Sequence, residues 1–195
     1  FVAAREDQIR PGATGLPVPG YLARVVDENG AELPRGAPGR LAVQGPTGCR
    51  YLADPRQAQY VQQGWNITGD TYVQDEDGYF WFQARNDDMI VSAGYNIAGP
   101  EVEAALLTHD AVKECGVVGA PDAARGMVVR AYVVLHDGHA PDEATRKALQ
   151  DHVKRELAPY KYPRSVVFVA ALPRTGTGKL QRFALRQRAA QEATT

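Results

Sequence analysis

Ala84-Arg85-Asn86-Asp87-Asp88-Met89-Ile90-Val91 separates two kinds of sequence. An aromatic run, Tyr79-Phe80-Trp81-Phe82, ends just before it, and apolar strands alternate with helices just after it. Arg85 to Asp88 offers no side chain suited to a core, so the stretch reads as a solvated boundary. The adjacent carboxylates Asp87 and Asp88 lack the further ligands that would make a metal site, and no metal site is expected in this chain. Arg85 has two readings: a contact to a phosphate or hydroxyl-bearing ligand, or an ordinary surface ion pair.

Upstream of the boundary, residues 11–48 are dense in glycine and proline, with short alternating runs between turns. Tyr21 to Val26 and Leu41 to Val43 read as strands, the first closed by the turn Asp27-Glu28-Asn29-Gly30. Asp54 to Gln63 is expected to be helical, with Asp54 as N-cap and Pro55 in the first turn. Thr71–Gln74 and Tyr79–Gln83 flank Asp75-Glu76-Asp77-Gly78, a hairpin signal. The aromatic strand is expected to be covered on both faces. Residues 1–86 therefore read as β-structure of one domain, suiting a small sheet or part of a barrel.

Downstream, Met89–Val91, Glu114–Val118, Val128–Leu135 and Val166–Val169 are apolar strands. Pro100–Leu107, Asp142–Leu157 and Arg182–Ala190 are helices; Ala144, Leu149, Val153 and Leu157 give the middle one its apolar face. The pattern describes a compact α+β domain after the boundary.

Composition narrows the function. The net charge of −1 over 195 residues excludes a general nucleic-acid or membrane-surface role. No apolar run approaches a membrane span. Cys49 and Cys115 have no CxxC or Cys/His spacing, so buried thiols in a reducing, cytoplasmic setting are expected. The four histidines (His109, His136, His139, His152) have no nucleophile partner and receive no catalytic role.

Three stretches carry chemistry. Leu172-Pro173-Arg174-Thr175-Gly176-Thr177-Gly178-Lys179-Leu180 is a glycine-rich loop ending in a lysine. Its glycines and exposed N–H groups suit close approach to an anion. It is not the standard phosphate loop, because Pro173 stands where the first glycine belongs and Leu180 follows the lysine. Alone, it is equally a β-turn beside a surface lysine. Gly64-Trp65-Asn66-Ile67-Thr68-Gly69-Asp70 ends in a carboxylate that could accept hydrogen bonds from vicinal ribose hydroxyls, or satisfy backbone N–H groups in a turn, the commoner use. In Ser92-Ala93-Gly94-Tyr95-Asn96-Ile97, Gly94 permits close backbone approach to a ligand or neighbouring domain, or marks a hairpin bulge.

In this order, Trp65–Asp70, Arg85–Glu103, Leu157–Arg164 and Pro173–Leu180 resemble the adenylate-forming superfamily: acyl- and aryl-CoA synthetases, nonribosomal peptide adenylation domains and firefly luciferase. The resemblance covers nearly the whole chain. Residues 1–86 resemble the end of the large N-terminal domain, and residues 87–195 the mobile C-terminal domain after the hinge. Gly48 to Gln57 resembles the benzoate- and 2-aminobenzoate-CoA ligase branch. The resemblance implies that Asp70, assisted by Arg85, holds the ATP ribose. Asp87 would be the hinge, Lys179 would sit between the carboxylate and the α-phosphate, and Gly94 with Tyr95 would line the thiol channel to CoA.

The superfamily's phosphate loop and its Thr-Glu motif for magnesium and ATP are absent. They are expected before Phe1, together with the Mg²⁺ ligands and most of the acid pocket. The implied protein is an ATP-dependent ligase that joins a carboxylic, aromatic acid to CoA, with the rest of the N-terminal domain as partner of this chain. The chain alone is expected to be inactive. Alternatives are an adenylation domain loading a carrier-protein thiol and a non-catalytic interaction module that keeps only the fold.

Overall fold

The computed structural model describes residues 1–48, 53, 55 and 57–193. Cys49, the expected N-cap Asp54 and most of the Gly48–Gln57 stretch lie outside the described residues. The chain divides into two compact units, Phe1–Asp87 and Asp88–Thr195.

The first unit contains β1 (Val2–Ala3), β2 (Leu16–Pro17), β3 (Leu22–Val26), β4 (Gly39–Gln44), a short helix α1 (Gln57–Tyr60), β5 (Val61–Gln62), β6 (Trp65–Gln74) and β7 (Phe80–Arg85). Strands β3, β4, β6 and β5 are neighbours in that order, and β7 pairs with β6. Among the described residues these strands form an open sheet, not a closed barrel. Alternation along β3 and β4 sends Val25, Leu41 and Val43 into one cluster with Tyr72 and Phe80, and Val26 and Ala42 into another with Ile67. Asp75 organises the β6–β7 hairpin. Its carboxylate accepts from the Tyr79 N–H at 2.8 Å and from the Trp81 indole at 2.9 Å. The indole hydrogen bond is the main reason the carboxyl titrates below its ordinary range.

Two expectations fail locally. The helix expected over Asp54–Gln63 does not reach Gln63: among the described residues it ends at Tyr60, because Val61 and Gln62 pair with Asn66 and Trp65. Gln63 and Gly64 adopt φ of 52° and 81°. That is the two-residue left-handed turn a tight hairpin requires, and glycine supplies half of it without strain. Second, cover of the aromatic strand is incomplete: Phe80 is fully buried, but Phe82 remains 46% exposed despite edge-on contact with Tyr72.

The second unit contains β8 (Met89–Ser92), β9 (Tyr95–Ala98), α2 (Gly99–Leu107), β10 (Val112–Asp122), β11 (Gly126–Leu135), α3 (Glu143–Glu156), β12 (Ser165–Phe168) and α4 (Arg182–Ala193). Its sheet runs β10, β11, β8, β9, with β12 parallel to β11. Period-two alternation along β11 makes three layers. Val129, Ala131 and Val133 pack with Val102 and Leu106 of α2 and Leu149 and Val153 of α3. Val128 and Tyr132 point the other way, toward Leu172 and toward Leu185 and Ala189 of α4. The unit is α+β, as the pattern of apolar runs predicts. Asp142 caps α3 by accepting from the Thr145 N–H at 2.8 Å.

Candidate functional site

Lys179 ends a small hairpin loop. The Gly178 N–H donates to the Thr175 carbonyl at 2.9 Å, and the Thr175 N–H to the Lys179 carbonyl at 2.8 Å. The Lys179 N–H donates to Thr175 Oγ1 at 3.1 Å, and Arg174 bridges to Leu180. Gly178 takes φ 82°, the left-handed position that closes a three-residue hairpin loop. The N–H groups of Thr175, Gly178 and Lys179 are thus occupied within the loop, so the loop does not offer all of its N–H groups to an anion. What the loop offers is the ammonium. Lys179 is exposed, and its Nζ makes no hydrogen bond or ion pair among the described residues.

Two ion pairs fasten the loop to its unit. On one side, Arg174 donates to the Gly178 carbonyl at 2.7 Å and to Glu114 Oε2 of β10 at 2.5 Å. On the other, Arg182, at the start of α4, pairs with Glu103 of α2. Glu103 also accepts the Val117 N–H at 2.8 Å, joining helix, sheet and α4 through one carboxylate. Gly116 leaves the room for this arrangement, since a Cβ there would lie 2.6 Å from Leu185 Cδ1 and 3.2 Å from Leu180 Cδ2. Sequence reading missed these anchors. The one available signal was Glu103 itself, a carboxylate on the apolar stripe of Val102, Ala105 and Leu106, which demands a cationic partner.

Asp70 and Arg85 are direct register partners on β6 and β7. Asp70 stands within a strand rather than a turn, and its carboxylate has no partner among the described residues. The Arg85 guanidinium lies against Gly69, where a Cβ would meet Nη2 at 3.3 Å, and its Nε is 3.6 Å from Asp87 Oδ1. That pair is well exposed, with side chains 65% and 61% accessible, so it is worth at most about 1 kcal/mol. Arg85 can exchange Asp87 for another anion at little cost.

Asn86–Asp88 form a single 3-10 turn. Thr71 Oγ1 of β6 donates to Asn86 Oδ1 at 2.7 Å, while the Asp88 carboxylate is held by Arg186 of α4 and is only 10% exposed. Asp87 is the position between these two attachments. Among the described residues no group of three or more His, Cys, Asp or Glu is placed to hold a metal.

Gly94 occupies a two-residue turn, with Ala93 at φ 49° and Gly94 at φ 83°, linking the register partners Ser92 and Tyr95. It is a tight turn rather than a bulge. The Ala93 N–H is tied to the Arg125 carbonyl at 3.1 Å. Nothing lies within 4 Å of a Cβ built on Gly94, so φ rather than crowding selects glycine there. Tyr95, 53% exposed, stacks on Tyr160 with centroids 4.3 Å apart, and the neighbouring Lys161 Nζ lies 2.6 Å from Glu101 Oε1. A separate concavity of about 470 Å³, beside His136, Leu135 and Phe168, includes none of Asp70, Arg85, Asp87, Gly94, Tyr95 and Lys179.

Cys115, His109 and His152 are held in structural contacts. Burial pushes the Cys115 thiol up to about 12, and the thiol donates to the Glu103 carbonyl. His109 accepts from the Ala111 N–H and His152 contacts Thr108 and Ala105, so both secure the end of α2. No helix among the described residues is long and apolar enough to cross a membrane.

Residues 101–179 match the family described as the AMP-binding enzyme C-terminal domain. The chain is 44% identical to an uncharacterized acyl-CoA ligase, YtcI, of Bacillus subtilis, over 96% of this chain and 36% of that protein. It is 42% identical to the benzoate-CoA ligase of Thauera aromatica, over 95% of this chain and 36% of the relative. Among solved structures, the anthranilate CoA ligase AuaEII in complex with anthranoyl-AMP superposes with a TM-score of 0.85 at 39% identity. That match covers all of this chain and 38% of the other. The chain thus spans little more than a third of the proteins it matches.

Proposed function

The chain belongs to the adenylate-forming superfamily, of which it carries the C-terminal portion, and on that premise we propose that it serves an ATP-dependent, AMP-forming acid–CoA ligase. The reaction has two halves. A carboxylate attacks the α-phosphate of ATP, forming the acyl-adenylate and releasing pyrophosphate. The thiol of CoA then attacks the acyl carbonyl, forming the thioester and releasing AMP. The aromatic character of the acid is inferred from the benzoate-CoA and anthranilate CoA ligases among the relatives.

The observation that carries this reading is the unpaired Lys179 ammonium at the end of a loop shaped by its own hydrogen bonds among Thr175, Gly178 and Lys179. Carboxylate and phosphate are both anionic, and bringing them together is the electrostatic obstacle of the first half-reaction. One cation between them offsets the repulsion and stabilises the charge that develops. Asp70, a carboxylate without a partner among the described residues, fits two ribose hydroxyls as acceptor, and Arg85 stands in register beside it. Mg²⁺ would neutralise the ATP phosphates from ligands outside this chain.

The second half-reaction requires Lys179 to leave and a path for the thiol to form. Asp87, between the attachments of Asn86 and Asp88, is assigned as the hinge, and the Gly94–Tyr95 turn as part of the thiol path. The free, buried Cys115 agrees with a reducing cytoplasmic setting. On this reading the acid pocket and the phosphate loop lie outside the residues of this chain.

The test is acid-dependent ATP–pyrophosphate exchange by the full-length polypeptide over a panel of aromatic and aliphatic carboxylic acids, followed by thioester formation with CoA. Exchange that depends on an aromatic acid, with CoA as acceptor, is expected. No exchange with any acid would overturn the ligase reading. Exchange without CoA thioester would redirect it to a carrier-protein thiol.

A further inference from the structure

The loop that presents Lys179 is held from within by a residue that the adenylation chemistry itself does not require. Arg174 reaches in two directions. Nη1 donates to the Gly178 carbonyl at 2.7 Å, one residue before Lys179, and Nη2 donates to Glu114 Oε2 at 2.5 Å. Glu114 belongs to β10, the strand that pairs with β11 through most of its length and carries Cys115, Val117 and Val118 into the two cores. The guanidinium therefore links the loop to β10 at Glu114, beside the register shift between Val112 and Glu114. Its planar fork suits this task, because two donors at fixed angles set the position of both acceptors.

We propose that Arg174, oriented by Glu114, is a positioning residue for Lys179: it fixes the loop tip so that the ammonium arrives at the reacting atoms in one geometry. This rests on the ligase reading above. The inference concerns delivery rather than chemistry. Lys179 has four rotatable side-chain bonds, so its accuracy depends on where its backbone is held. Within the loop, the hydrogen bonds of Thr175, Gly178 and Lys179 define local shape. They do not fasten the tip to the sheet, and the Arg174–Glu114 link does. Misplacement of a catalytic group by about 1 Å can cost on the order of 10²-fold in rate. Loss of a fastening that leaves the loop shape intact is expected to cost less, about 10-fold.

Glu114 contacts the loop only through Arg174 among the interactions described, which makes the proposal separable from a general effect on folding. Both side chains are partly exposed, 45% for Arg174 and 37% for Glu114, so their replacement does not open a core. If Glu114 acts through Arg174, removing both costs no more than removing Arg174 alone.

The experiment uses the full-length polypeptide with Arg174→Ala, Arg174→Lys, Glu114→Ala, the double variant and Lys179→Ala. The two half-reactions are measured separately: acyl-adenylate formation, and thioester formation from supplied acyl-adenylate. Arg174→Ala and Glu114→Ala are expected to lower the rate constant of adenylation about 10-fold, with the KM for ATP and the thioester step unchanged. The double variant should match Arg174→Ala. Arg174→Lys should recover little, since an ammonium cannot span both acceptors in fork geometry. Additive losses, equal loss of both half-reactions, or full activity of Arg174→Ala would overturn the proposal. Lys179→Ala separates the two claims. If it leaves adenylation intact, the ligase assignment of Lys179 fails. If it abolishes adenylation while Arg174→Ala does not slow it, only the positioning role fails.

Discussion

Glu103→Ala should be among the most damaging single substitutions in the second unit, and the structure allows its size to be worked out. The Glu103 side chain is only 12% exposed and satisfies two partners. The Val117 N–H, buried in β10, donates to it at 2.8 Å, and Arg182, itself 25% exposed, pairs with it at the start of α4. Alanine leaves the Val117 N–H unsatisfied, which costs about 1–3 kcal/mol. It also strands the arginine. Breaking a fully buried ion pair costs about 3–5 kcal/mol, and partial exposure of Arg182 brings this to about 2. The total is about 3–5 kcal/mol. Glu103→Gln keeps an acceptor for Val117 and loses only the charge, so about 1–2 kcal/mol is expected. The assay is urea unfolding followed by circular dichroism at helical wavelengths. Tryptophan fluorescence would miss the effect, because both tryptophans, Trp65 and Trp81, lie in the first unit. Equal destabilisation by alanine and glutamine, or a loss below about 1 kcal/mol for alanine, would refute the claim that this carboxylate joins helix, sheet and α4.

Three further outcomes follow from the same geometry. Cys115, buried and pushed up to about 12, should resist alkylation at pH 8 in the native chain and react on unfolding in urea; rapid native labelling at Cys115 would contradict its burial. His109 is held below its ordinary pKa, first by burial and then by the neighbouring His152, with His139 and Arg155 acting the same way and Asp110 opposing them. The unfolded chain therefore binds the proton more readily, so stability is complete above about pH 6.5 and falls as pH drops through the lower native value. His109→Asn should flatten the melting temperature between pH 7.5 and 5.5, and an unchanged slope would remove His109 as the cause. Asp87→Pro in the full-length polypeptide should slow thioester formation more than adenylation, and equal rates in both steps would count against the hinge.

Much of the second unit was legible in the sequence because its elements are set by local pattern. Val128 to Val134 alternate between two cores, and Leu149 and Val153 mark the buried face of α3. Lys179, Asp70 and Gly94 stood out because each sits in a stretch with few packing side chains. The expected end of the helix at Gln63 misled because Gln63–Gly64 favours a left-handed turn and Val61 pairs with Asn66. The partners in the anchors of the Lys179 loop could not be read for a different reason, although Glu103 on its apolar stripe signalled that one was needed. Glu103–Arg182, Glu114–Arg174 and Asp88–Arg186 join residues 79, 60 and 98 positions apart, and no local pattern encodes such a pair. The loop also looked like an anion cradle, since glycine content shows conformational freedom but not which N–H groups the fold occupies.

The central claim is that Lys179 acts in one half of the reaction and is absent from the other. It is tested most directly by Lys179→Ala in the full-length polypeptide, with the half-reactions measured apart. The account predicts that acyl-adenylate formation falls by about 10²-fold or more, while thioester formation from supplied acyl-adenylate stays within about 2-fold of the unaltered protein. Equal loss in both steps, or no loss in the first, would contradict it.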